Sequence, residues 1–318
     1  MNQKQPEIQL SAFFLVGPTA VGKSRVAQYI AEKKDYAILS ADSMSVYKGM
    51  DVGTAKPSRE DRESVPYGGI NLAEAGDSFS VADYRVAAIE FLKVKTAEKI
   101  PVMVTGGSGL YIKSLTHGLA DSGKPDTVER SRWLSIFEKG GIEALQKELL
   151  AVEPDAAVKF KDFANPRRII RFLERRAGGD EVDRSWDRLP QSVPMAGLDM
   201  PVNAFREAVK SRVKRMFDNG LIDECRKLTG CSASLSMTAS QAIGYSEAIS
   251  YIEGNCSLRE AMDRTVARTL RLGKKQRTWF RWQAKVEWIE VLPEMETEDI
   301  ASRVNDVWKK HGPSHVQT

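Results

Sequence analysis

Residues Gly17 to Ser24 read GPTAVGKS, a spacing that gathers Gly17, Pro18, Thr19, Ala20, Val21, Gly22, Lys23 and Ser24 into one loop. The apolar run AFFLV precedes it and the helical RVAQYIAEKK follows. In that setting the loop N–H groups and the positive end of the helix dipole converge on an anion. Lys23 adds a mobile charge, and the Ser24 hydroxyl suits Mg2+. A second candidate is Asp42, next to last in the stretch YAILSADS. An acid there sits at the carboxyl edge of a sheet, where open α/β folds bind ligands; capping the next element is its plainer use. A nucleotide hydrolase would next offer a strand ending in a metal-supporting Asp. The candidate strand IPVMV runs instead into TGGSGLY, Thr105 to Tyr111. These residues alone bind a phosphate tail, and they leave a small-molecule kinase open.

The third candidate is a misplaced charge. Asn203 to Gly220 has helical period, and at about 100° per residue Phe205, Ala208, Val209, Val213 and Met216 form one apolar face. Arg212 falls inside that face, whereas Arg206, Lys210, Lys214 and Arg215 fall outside it. A guanidinium facing a core needs an anionic partner. Two are open: a buried carboxylate or an anionic ligand.

Two further helices are basic. ANPRRIIRFLERRAGG, capped by Asn165, opened by Pro166 and ended by Gly178-Gly179, sets Arg167, Arg168, Arg171 and Arg175 on one side. Ile169 and Leu173 lie opposite. A later helix opens on Ser257 and Glu260, spaced as a capping box. It carries Arg264, Arg268, Arg271 and Lys275 as one stripe, beside Lys274, Arg277, Arg281 and Lys285. One such face is usually just solvated; two in a chain of net charge +4 favour a polyanion. Core packing is the expected use of most of Trp279, Phe280 and Trp282, with base stacking as the alternative.

These groups need a scaffold. The element order is strand, cradle, helix, the strand ending at Asp42, a loop carrying GMDVGTAKP, a helix over Val81–Lys95, and the VMVTGG strand. A polar segment from about Ala120 to Leu189 has helical patterns without strands, after which SVPMAGLDM and VEWIEV return to the sheet. We expect an α/β fold: a parallel sheet core like that of the P-loop nucleoside-triphosphate hydrolases, with a mostly helical insertion domain. The expected divisions are residues 1–121 for the first part of the core, 122–188 for the insertion, and 189–318 for the second part with the basic C-terminal helices. With 42% hydrophobic and 28% charged residues the composition is that of a soluble globular protein. No apolar run nears the roughly 20 residues of a membrane span, and the start MNQKQPEIQL lacks a secretion signal. Cys225, Cys231 and Cys256 have no metal-ligand spacing, and His117, His311 and His315 are the only histidines. A histidine triad or zinc site is not expected; a cytoplasmic monomer without membrane attachment is.

Taken in order, GPTAVGKS, SADSMSVYKGMDVGTAKPS (Ser40–Ser58), SFSVADYR (Ser78–Arg85), GGSGLYIKSL (Gly106–Leu115), RRIIRFLE (Arg167–Glu174), QAIGYSEAI (Gln241–Ile249) and GKKQRTWFRW (Gly273–Trp282) resemble the tRNA dimethylallyltransferase family over nearly the whole chain. The resemblance implies transfer of a dimethylallyl group from dimethylallyl diphosphate to N6 of adenosine at tRNA position 37, beside the anticodon, with Mg2+ as cofactor. It places the donor diphosphate in the cradle, with Arg212 and the Ser108 hydroxyl as further ligands, and makes Asp42 the acceptor for the amine. The family usually has Thr where Ser108 stands. The same resemblance sets Asp42, Ser43, Met44, Ser45, Ser108, Arg130, Arg167, Arg168, Ile169, Ile170, Arg171, Gln241, Ala242, Ile243, Gly244, Tyr245 and Ser246 against the tRNA. A stacked adenine cannot reach Asp42, so a flipped base is expected, meeting the prenyl group from the opposite side of a channel. The chain departs from the family at Ser45, Pro66–Leu72, Ala208 and Gly273, all near expected RNA contacts or their packing.

Overall fold

Alternating and continuous apolar runs set the sheet. The computed structural model describes residues 9–119, 127–159, 163–177, 193–230 and 235–318. Its strands are β1 (Ser11–Val16), β2 (Ala37–Ala41), β3 (Tyr67–Gly68), β4 (Val102–Gly106), β5 (Pro194–Asp199), β6 (Lys285–Glu290) and β7 (Ser314–His315). The order is β3-β2-β4-β1-β5-β6, all parallel, with β7 antiparallel against β1. Strand β4 is buried along its length, as a parallel strand covered on both faces should be.

The pleat separates two cores. Phe14, Val16, Leu39, Val104 and Met195 pack on one face with Tyr84, Ala88 and Leu92 from the Val81–Ala97 helix. Leu15, Ile38, Met103 and Leu198 face the other way, against Val26, Ala27 and Ile30 of the Lys23–Lys34 helix and Ile300, Val304 and Trp308 of the Thr297–His311 helix. Register then decides the function. Val16 pairs with Gly106, and Gly106 with Ala41, so the segments after β1, β2 and β4 leave the sheet side by side at its carboxyl edge.

The chain divides into two compact units, Met1–Gly118 with Pro190–Thr318, and Leu119–Leu189. The divisions expected at 121 and 188 lie outside the described residues, as do Gly178-Gly179 and Cys231. The second unit is helical, with Trp133, Leu145 and Leu149 of the Thr127–Val152 helix packed on Ile169, Phe172 and Leu173 of the Pro166–Ala177 helix. In the first unit, Phe205, Val209 and Val213 of the Val202–Asp218 helix meet Met262, Val266 and Leu270 of the Leu258–Gln283 helix. The long helix tolerates Gly273 because a Cβ there would press on the Phe205 ring, 2.9 Å from its Cε1. The departure at Gly273 thus matches a bulky ring on the neighbouring helix.

Candidate active site

The cradle is built by backbone geometry. A Cβ at Gly17 (φ 141°) would run into the Leu198 carbonyl oxygen, so only glycine lets β1 turn there. Ala20 (φ 65°) and Gly22 (φ 94°) take left-handed backbone before the helix opens at Lys23. No side chain caps that helix end, which leaves its first N–H groups for an anion. Lys23 is 9% exposed and folds back to donate to the Pro18 carbonyl, 2.6 Å away. Burial pulls its ammonium down to about 7, with nearby Asp42 opposing the drop and Arg212 adding to it.

One cavity of about 380 Å3 holds the chemical groups together: Lys23, Ser24, Asp42 and Arg212 all line it. Asp42 follows β2 directly, and its Oδ1 accepts from the Met44 N–H at 2.9 Å. Its second oxygen has no protein partner among the described residues. Ser108 stands after β4, and its hydroxyl accepts from the Ser43 N–H at 3.0 Å, which ties the Asp42 turn to the glycine turn. That bond leaves the hydroxyl proton to give elsewhere. Arg212 does lie between Val209 and Val213 as the helical period requires, but it points into the cavity beside Ala208. Among the described residues no carboxylate is within ion-pair distance of it. Its guanidinium donates to the Thr54 carbonyl at 3.2 Å, and burial lowers its pKa despite the favourable Asp42 charge. Of the two partners left open by the sequence, an internal carboxylate in ion-pair contact is not found among the described residues.

The remaining expected residues fall into two sets. Ser45 lines the cavity, while Ser43 and Met44 are half-buried beside it. Gln241, Ile243 and Ser246 reach the surface in part, whereas Ala242, Gly244 and Tyr245 are buried, so Tyr245 cannot present its ring to an RNA. In the helical unit Arg167 and Arg168 are exposed and Arg171 half-exposed, while Arg130 lies 3.8 Å from buried Glu174. Ile169 and Ile170 belong to that unit's core, so their side chains are not available as contacts. The stripe on the Leu258–Gln283 helix also needs correction. Arg268 turns inward to Glu247, Ser246 and the Gln241 carbonyl, and Arg277 pairs with Asp199 at 2.6 Å over the Phe205 ring. Arg264, Arg271, Lys274, Lys275, Arg281 and Lys285 stay exposed. Phe280 is buried and Trp279 packs on the core, leaving Trp282 outside.

Sequence reasoning missed Gln276 and Glu224. Gln276 Oε1 accepts from the Thr19 N–H at 2.8 Å and its Nε2 donates to the Gly107 carbonyl at 3.1 Å, so one amide bridges cradle and glycine turn. The GKKQ string contained it, but nothing in the string named its partners. Glu224 holds the GMDVGTAKP loop by its backbone. A metal fits this cavity only in one way. Among the described residues no cluster of three His, Cys, Asp or Glu side chains could cage an ion. The exposed Ser24 hydroxyl on the cavity wall suits Mg2+ held chiefly by phosphate oxygens and water.

The chain is similar to known proteins over most of its length. A family profile described as IPP transferase matches residues 45–283, and one described as Isopentenyl transferase matches residues 10–68. The tRNA dimethylallyltransferase of Bacillus velezensis is 35% identical over 306 residues, 93% of this chain and 94% of that protein. That of Corynebacterium jeikeium is 33% identical over 89% of this chain and 92% of its own length. The solved tRNA isopentenylpyrophosphate transferase of Bacillus halodurans superposes with a TM-score of 0.67 at 31% identity, covering 95% of this chain and 98% of that one. A eukaryotic dimethylallyltransferase acting on tRNA shares the fold at 19% identity, with a TM-score of 0.75 over 95% of this chain and 80% of its own. With a profile match that begins at Ser45, just past Asp42, and runs through Arg212 to the end of the long basic helix, the chain belongs to the IPP transferase family.

Proposed function

We infer that the chain transfers the dimethylallyl group of dimethylallyl diphosphate to N6 of adenosine at tRNA position 37. The observation that carries this reading is one cavity in which an Asp42 oxygen and an Arg212, neither with an ion-pair partner at contact distance among the described residues, share space with Lys23. The amine nitrogen attacks the allylic carbon as the carbon–oxygen bond breaks, and diphosphate leaves with the bonding electrons. The nitrogen then sheds one proton, which Asp42 accepts. Cradle N–H groups, Lys23 and Arg212 stabilise the charge that gathers on the leaving group. Ser24 would hold Mg2+, which when bound supplies further neutralisation of the diphosphate. Ser108 keeps the Asp42 turn in register with the glycine turn and has a proton for a diphosphate oxygen.

An adenine inside an anticodon stack cannot meet a carboxylate set in a cavity, so the base enters flipped. Arg167, Arg168 and Arg171 on the helical unit, and the exposed Arg271, Lys274 and Arg281, supply phosphate contacts. The test is incubation with dimethylallyl diphosphate, Mg2+ and unmodified tRNA, followed by nucleoside mass analysis. One dimethylallyl group on adenosine is expected, and Asp42→Asn should lower kcat by about a hundredfold or more. Unmodified nucleosides with the wild-type chain, or full turnover by Asp42→Asn, would refute the assignment.

A further inference from the structure

The loop Gly49–Pro57 carries no regular ladder, so its N–H groups need partners from elsewhere. Three consecutive ones find the same carboxylate. Glu224, on the Leu221–Gly230 helix, accepts from Asp51 N–H at 2.9 Å, Val52 N–H at 2.8 Å and Gly53 N–H at 3.3 Å. The Tyr245 hydroxyl adds a fourth donor at 2.5 Å. Burial first, and the Glu224 charge second, hold that phenol far above its usual pKa, so it remains a donor. Tyr245 also explains Gly53: a Cβ there would lie 2.6 Å from the Tyr245 Cζ.

The other end of the loop is fixed as firmly. Lys56 has a fully buried side chain that donates to the Tyr47 carbonyl and to Asn71 Oδ1, each at 2.7 Å, and pairs with Asp51 at 2.5 Å. Between these anchors Thr54 and Ala55 line the cavity, and the Thr54 carbonyl takes the Arg212 guanidinium. Glu224 itself does not line the cavity. We propose that Glu224 is a positioning residue for the transfer: by fixing the Asp51–Thr54 backbone it sets the carbonyl that aims Arg212 at the donor diphosphate. This rests on the reading of the cavity as a diphosphate site. A guanidinium must present its planar fork in one orientation to an oxyanion, so a displaced carbonyl weakens donor binding without touching the RNA surface.

The experiment is a double-mutant cycle of Glu224→Gln with Arg212→Ala, read by KM for both substrates and by calorimetric affinity for inorganic pyrophosphate. Glu224→Gln should raise the donor KM and the pyrophosphate Kd about tenfold while moving the tRNA KM less than about twofold. In the Arg212→Ala background it should add less than about twofold, because the residue through which it acts is gone. Tyr245→Phe removes one donor with little change of shape and should move the donor KM in the same direction by about threefold. Multiplying effects in the double variant, or donor and tRNA KM rising together, would overturn the proposal in favour of general scaffolding. Failure of the functional reading looks different, since wild-type protein would then form no prenylated adenosine. The pyrophosphate cycle still decides the coupling in that case.

Discussion

Lys23 offers the sharpest test of the cavity's electrostatics, because its burial makes opposite demands on stability and binding. Its ammonium falls from 10.5 to about 7, chiefly through desolvation. Below about pH 7 the lysine is charged in both the folded and unfolded chain, so the whole cost of burying it is present. Between about pH 7 and about pH 10.5 the unfolded chain keeps the proton that the folded chain gives up, so stability rises with pH. At about 1.4 kcal/mol per pH unit the full span sets a ceiling of about 5 kcal/mol, and roughly 2 kcal/mol of it should appear between about pH 7 and about pH 9. Lys23→Met keeps the length and removes the charge. Urea midpoints for both proteins, measured in EDTA across that range, give a difference curve in which all other titrations cancel. The variant should be more stable by about 3 kcal/mol near pH 7, with the gap closing toward pH 9. Binding should move the other way: pyrophosphate restores the ammonium, so near pH 8 the wild type takes up close to one proton more on binding than the variant does, the ligand's own ionisation being common to both. Calorimetry in two buffers of different ionisation enthalpy reads that number. A variant less stable than wild type at pH 7, with a gap independent of pH, would refute the argument.

Other expectations follow from single contacts. Gln276→Leu removes both bonds of the bridge between Thr19 and Gly107, and steady-state kinetics should show a donor KM raised about tenfold with an unchanged tRNA KM. Gly53→Ala forces a Cβ against the Tyr245 ring and should lower stability by about 2 kcal/mol in thermal melts, with partial recovery in a Tyr245→Leu background. Arg268→Ala removes the guanidinium that pairs with buried Glu247 and donates to the Gln241 carbonyl, so melting should show a loss of about 3 kcal/mol. Arg271→Ala, on the exposed face, should leave the melt unchanged and reduce the salt dependence of tRNA binding by about one counterion.

The parts of the site that were legible from sequence are those whose meaning is local. A glycine loop between an apolar run and a helix can be read as a cradle because strand, turn and helix lie within a few residues of one another. Asp42 is legible for the same reason, since the end of a parallel strand is by construction a ligand edge. The basic stripe on the long helix was only half legible. Periodicity places Arg264, Arg268, Arg271 and Lys275 on one side, yet it does not say that Glu247 waits opposite Arg268 or Asp199 opposite Arg277. Gly273, a departure from the family and a poor helix former, is a seat for Phe205, which a one-dimensional propensity cannot express. Gln276 and Glu224 were missed because their partners lie far off in sequence, as with Gln276 and Thr19, which are 257 positions apart.

Arg212 shows how far such reading reaches. The period of its helix said that a charge lay in an apolar face and that an anion had to answer it. Among the described residues folding brings the Thr54 carbonyl, from 158 residues away, and a dipole orients a guanidinium without neutralising it. The chain also places Lys23 in the same cavity, where burial first and the Arg212 charge after it lower its protonation, and Asp42 is the one carboxylate among the lining residues. Arg212, and Lys23 when it is protonated, face one carboxylate, and the other charged groups on the cavity wall, Arg25 and Arg215, are also cationic, so the described lining carries a positive excess. A protein that keeps such an excess out of water has its counter-charge supplied from outside. On the function proposed above, the donor diphosphate meets that need, and its departure as pyrophosphate would be resisted by the same charges that ease the breaking of the allylic carbon–oxygen bond. Release of product should therefore limit turnover more in the wild type than in Arg212→Ala, so that a pre-steady-state burst of prenylated tRNA is expected from the former and none from the latter.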